Sequence, residues 1–232
     1  MGKEKSKQNT KLLNSKKVIL DLCGGTGSWS RPYKEAGYTV INLTLPMYDV
    51  TKVEFTPDGK LILFPAKDPM ENLNVKSKDV YGILAAPPCT MFSFARTTAK
   101  TPRDFEGAMR IVESCMQIIW TAKIYGQLKF WAMENPTGYL RRFIGKPSFK
   151  FYQWQFGGYH VKATDIWGYF NEPTPSVKTK PVLEQGEIDK RWSNPKIPDY
   201  IKEQLKSTGE RRAAVRAITP EGFARAFHRA NK

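Results

Sequence analysis

The chain has 232 residues, enough for one substantial core and a small appendage but not for two full-sized domains. Lys and Arg total 37 against 22 Asp and Glu, a formal net charge of +15, which favours a polyanionic partner, nucleic acid ahead of an anionic membrane surface. Cys23, Cys89 and Cys115 are too far apart for a disulfide framework or a zinc ribbon, no apolar run approaches a bilayer span, and no signal-peptide core is present; no metal, no membrane and a reducing, cytoplasmic setting are expected.

Lys3, Lys5, Lys7, Lys11 and Lys16 make residues 1–16 a basic, flexible leader. The run KVILDL over 17–22 reads as a buried strand that enters the turn Cys23-Gly24-Gly25-Thr26-Gly27. A helix is expected over 28–36, a second strand over 38–43 (YTVINL) and a third over 60–64. Residues 80–85 (VYGILA) form a further strand stopped by Pro87-Pro88. A basic segment then runs to Arg103 and into a helix over 104–125, whose apolar face carries Met109, Val112, Met116, Ile119 and Ala122. Residues 129–133 (KFWAM) read as a strand ending at Glu134-Asn135-Pro136, and 164–170 as another.

Strands alternating with helices imply an α/β doubly wound sheet over residues 17–170, with ligands at the carboxyl ends of the strands. From 171 to 215 the composition turns to Pro, Lys and polar residues, an irregular insertion. Helical character returns over 216–232, with Thr219 as N-cap and Pro220 at the first helical position.

Glycines directly after a strand let a ligand approach the backbone, which suits a nucleotide or adenosyl cofactor; the lysine of a phosphate loop is missing, so ATP is disfavoured. Cys89 leaves a strand end through two prolines, where a doubly wound sheet binds substrate. A thiolate attacks carbon well once its pKa is lowered, and Arg96, Lys100 and Arg103 are candidates both for that positive potential and for phosphate contacts. A lone cysteine is more often a small buried hydrophobe, and a strand-end acid such as Glu134 is more often a cap or an ion-pair partner. The pair on one presumed sheet is more informative than either member. Lys162 and Thr164, entering the last strand, are suited to holding an anion or a base oxygen.

In this order the segments resemble the DNA (cytosine-5) methyltransferases, in the short form associated with bacteriophages and mobile DNA. Asp21 to Gly27 is similar to that family's cofactor turn, Pro88-Cys89 with Phe92-Ser93 to its nucleophile motif, and Glu134-Asn135 to its strand-end acid motif; Lys162 and Thr164 fall on its base-facing strand, and Thr219-Pro220-Glu221 resembles its penultimate motif. The resemblance implies a Rossmann-like fold of the class I S-adenosylmethionine-dependent methyltransferase type. It implies a flipped cytosine in DNA attacked at carbon 6 by Cys89, with Glu134 and Lys162 as further catalytic groups. Asp21, Cys23, Gly24, Gly25, Thr26, Gly27, Trp29, Thr44, Asp49 and Pro87 then serve S-adenosylmethionine. Pro88, Phe92, Ser93, Arg96, Lys100, Arg103, Asn135, Pro136 and Thr164 serve the substrate.

The sequence departs from that pattern at three places. Thr90 stands where the family commonly has Gln; Thr44-Leu45-Pro46 replaces the acid that binds the cofactor ribose, leaving Asp49 for the adenine side and room for an anionic donor such as carboxy-S-adenosylmethionine; and the stretch between Thr164 and Thr219 is short for target recognition. An RNA cytosine-5 methyltransferase and a non-catalytic nucleic-acid-binding relative are the alternatives.

Overall fold

The computed structural model describes residues 9–65, 72–158, 162–180, 182, 215 and 217–232. In chain order its elements are β1 (Val18–Leu22), α1 (Arg31–Glu35), β2 (Thr39–Leu43), β3 (Glu54–Phe55), β4 (Lys60–Leu63), β5 (Leu73–Lys76), β6 (Val80–Ala85), α2 (Phe105–Tyr125), β7 (Phe130–Pro136), α3 (Arg141–Ile144), β8 (Phe149–Tyr152), β9 (Ala163–Tyr169) and α4 (Glu221–Ala230). Six strands make a mostly parallel sheet in the order β2-β1-β6-β7-β9-β8, with β9 antiparallel to both its neighbours. The architecture is mixed α/β, compatible with a Rossmann-like fold.

Side chains alternate across a strand, and the two faces of the sheet sort accordingly. Leu20, Leu22, Ile83, Ala85 and Met133 pack with Val112, Cys115, Ile119 and Ala122 of α2. Ile19, Leu84, Ala132 and Ile166 pack on the other side with Phe223 and Phe227 of α4. By the same period Asp21, two residues after Ile19, and Glu134, two after Ala132, project toward the α4 face. The chain runs from β1 outward to β2 and returns on the other side of β1 as β6, so the switch point lies between the carboxyl ends of β1 and β6.

Several expectations change. The helix over 28–36 shrinks to α1, because the Ser30 hydroxyl bonds Asp21 and does not cap a helix. The strand at 60–64 forms as β4 but leaves the main sheet: it pairs antiparallel with β3 and β5 in a separate sheet whose Leu61, Leu63 and Val75 join the core cluster of α2. Strand β8 has no counterpart in the reading, since only one of its four residues is buried. Residues 9–14 of the leader are helical, and the Asn14 amide donates to the Ala36 carbonyl at 3.0 Å, so this part is docked on the core; residues 1–8 lie outside the described residues. Of the insertion over 171–215, only 171–180, 182 and 215 are described. The N-cap of α4 is Pro220 rather than Thr219, whose amide donates to the Ser28 hydroxyl and holds that residue outside the helix. No described helix is long and apolar enough to cross a membrane.

Candidate active site

The end of β1 delivers Asp21 fully buried. The Ser30 hydroxyl donates to one carboxylate oxygen at 2.5 Å, and the other, Oδ1, has no partner. Burial pushes the Asp21 pKa up to about 6, against the Ser30 bond. The following turn passes through left-handed backbone at Cys23, Gly25 and Gly27. A side chain at Gly24 would collide with the Asp21 carboxylate. The Gly25 amide donates to Thr44 Oγ1 at 3.2 Å and the Asn42 amide to the Gly25 carbonyl at 3.1 Å. Thr44 therefore braces the turn. Asp49 accepts from the Thr51 amide and hydroxyl and caps the short helix Val50–Lys52.

The end of β6 delivers Cys89 through Pro87 and Pro88. The Cys89 carbonyl accepts from the amides of Phe92, at 3.0 Å, and Ser93, at 2.8 Å, a tight turn that holds the thiol at the strand end. Phe92 is buried against Phe105 and Phe143, and its carbonyl accepts from the Tyr139 amide at 2.8 Å. Ser93 bridges to Gly138. Arg103 donates to the carbonyls of Met91, Ser93 and Arg96, and Arg96 to Thr101 and Pro102. Both arginines thus shape the loop after Cys89, while Lys100 is exposed.

The end of β7 delivers Glu134 and Asn135. Asn135 is fully buried and donates to the Pro87 carbonyl at 2.9 Å, which ties this strand end to the Cys89 loop. Next to it a buried Asp165 on β9 takes a bidentate bond from Arg141, 2.5 and 2.6 Å, and one from the Thr137 hydroxyl, 2.8 Å, which fixes α3 to the same strand ends.

These pieces line a cleft at the switch point. Asp21, Cys23, Gly24 and Trp29 line one wall; Pro87, Pro88 and Cys89 the second; Glu134, Pro136 and Lys162 the third. Burial pushes the Cys89 thiol up, Lys162 draws it down, and Glu134 pushes it up again. Burial likewise pushes the Glu134 carboxyl up, against Lys162. Lys162 thus favours the charged form of both acids, while Glu134 opposes it in Cys89. The expectation that Arg96, Lys100 and Arg103 tune the thiol is corrected: the cation that bears on it is Lys162.

Thr164 does not reach the cleft. It is buried between Pro136 and Phe151 in the β9 register and lines a narrower cavity behind Glu134. Gly25, Thr26 and Gly27 shape the turn, and Phe92, Ser93 and Asn135 lock the loops; none of these six lines the cleft. Nothing in the sequence marks Ala217 as a cleft residue, and Thr219 stands there as a cap and as part of the penultimate-motif resemblance but not as a site residue; both roof the cleft. Their partner across the roof, Ser28, is 191 residues from Thr219, a separation no local pattern reveals. Trp29 is held by Phe223 and Phe227 of α4, and its buried Nε1 has no partner among the described residues. Among the described residues no cluster of His, Cys, Asp or Glu is placed to hold a metal ion. Neither protein-family models nor curated proteins give a match to the chain.

Proposed function

We propose that this chain methylates carbon 5 of cytosine in DNA, using S-adenosylmethionine and a covalent Cys89 adduct, on a fold of the class I methyltransferase type. The observation that carries the reading is the meeting of Cys89, Glu134 and Lys162 in one cleft whose opposite wall is the Asp21–Gly24 turn. The donor's amino-acid end carries an ammonium and a carboxylate. The unpartnered Asp21 Oδ1 and Trp29 Nε1 are chemically matched to them, and Gly24 keeps the wall between them open. When bound, the donor supplies an electrophilic methyl group.

The chain's own residues do the rest. A base must leave the duplex to enter the cleft. Cys89 Sγ adds to carbon 6, and the displaced electron pair moves onto the ring toward N3. A neutral Glu134 carboxyl offers one donor and one acceptor, the complement of the N3 acceptor and amino donor on the cytosine edge. Protonation of Glu134 also removes the like charge that opposes the thiolate, so Lys162 pairs with the nucleophile at the moment it is needed. Carbon 5 of the adduct would take the methyl as the donor's sulfonium carbon–sulfur bond breaks and a neutral thioether leaves. Loss of the carbon 5 proton to water and expulsion of Sγ then restore the ring, so the base exchanges one proton for one methyl group.

The test is nucleoside mass spectrometry of duplex DNA incubated with the chain and donor. Wild type should yield 5-methylcytosine and a folded Cys89→Ala variant none. Unmodified DNA, or methylation of transfer RNA alone, would remove the DNA reading; a carboxymethyl mass would replace the donor.

A further inference from the structure

Behind Glu134, on the α4 face of the sheet, lies a cavity with room for roughly one ordered water. It shares Glu134, Lys162 and Thr219 with the cleft and is walled by Phe151, Ile166 and Phe223. Two polar side chains line it, Gln153 at 5% exposure and Thr164 at 4%. Both side chains turn polar atoms to this cavity rather than sealing them in the core. Polar groups facing a small interior space are satisfied in native proteins by protein or by ordered water. Their placement is not loose: Thr164 is in register with Phe151 across β8 and β9, and the Gln153 backbone N–H donates to the Lys162 carbonyl at 3.3 Å.

We infer that Gln153 and Thr164 hold an ordered water against the Glu134 carboxyl, and that this water fixes which way the carboxyl presents its donor and acceptor oxygens to the cleft. The inference rests on the proposed function for the role of Glu134. Lys162 is a point charge and imposes no such direction. A carboxyl that is to meet a donor–acceptor edge must hold its two oxygens apart in role, and a water on the side away from the base supplies the missing constraint. The Gln153 amide and the Thr164 hydroxyl each donate and accept, so the water stays bonded whether Glu134 is protonated or ionised. Gln153 and Thr164 are therefore positioning residues that touch neither base nor donor.

The experiment pairs a crystal structure of the full chain, at a resolution that places waters, with turnover of three variants on duplex DNA. The expected structure has a water within hydrogen-bond distance of Gln153, Thr164 and Glu134. Thr164→Val and Gln153→Leu should each lower kcat roughly tenfold at unchanged KM for DNA, and Thr164→Ser should recover most of the rate. A dry cavity, a Gln153 side chain bonded directly to Glu134, or a Thr164→Val variant with wild-type kcat overturns the inference. A wild-type chain that modifies no cytosine defeats the proposed function instead, and the crystallographic result then still upholds or overturns the water.

Discussion

The buried Asn135 side-chain amide donates to the Pro87 carbonyl at 2.9 Å, so the Glu134 strand end stays tied to the Cys89 loop beyond the last β6–β7 pair, Ala85 with Met133. Asn135→Ala leaves that carbonyl unpaired in the interior. The expected outcome is a loss of about 1–3 kcal/mol in urea unfolding, with turnover falling further than a partly unfolded population explains. Unfolding curves and kcat on the same preparations check it; unchanged turnover per folded molecule would reduce the bond to a structural tie.

Lys162 between Cys89 and Glu134 predicts opposite thiol responses. Glu134→Gln removes a like charge and should lower the Cys89 pKa, whereas Lys162→Met removes the favourable one and should raise it. The rate of alkylation at Cys89 against pH, read by peptide mass spectrometry, measures both. Shifts of the same sign in the two variants would exclude this charge arrangement.

Asp21 links pH and stability and, on the proposed function, donor binding. Held at about 6 in the folded chain against 3.8 for a free carboxyl, it favours folding below about pH 4, and that contribution is lost as pH rises through 6. Asp21→Asn should therefore stabilise the chain at pH 7, by up to roughly 3 kcal/mol, and add little at pH 4. The same variant should lose S-adenosylmethionine, and wild-type affinity should fall as pH drops below 6. Calorimetric titration and urea unfolding at the two pH values check both halves.

Arg103 clamps the loop after Cys89. Arg103→Lys keeps the charge but not the fork that reaches three carbonyls. It should behave like Arg103→Met, with slower turnover and easier proteolysis between residues 90 and 102. A Lys variant with wild-type turnover would show that charge alone suffices.

What the sequence revealed follows from how locally each feature is encoded. Val80–Ala85 and Phe105–Tyr125 were plain because a continuous apolar run and a 3.6-residue period are properties of the segment itself. Asp21, Cys89 and Glu134 were legible as strand ends, and the sheet order brings those ends together. Arg96 and Arg103 misled because a basic loop looks the same in sequence whether its guanidinium groups face solvent or their own carbonyls. Thr44 and Thr164 fell on the right elements with the wrong neighbours, since which face a strand-end side chain meets depends on register with a distant strand. Gln153 gave no signal at all: its environment is made by β7, β9 and α4 together.

The Thr219 amide on the Ser28 hydroxyl carries a consequence for biosynthesis. The wall that holds Asp21 is made well before its roof, which comes with the Phe223 and Phe227 rings under Trp29. A nascent chain can fold most of its sheet on the ribosome and still have an open trough where the cleft will be. By this geometry the cleft is complete only once α4 has docked.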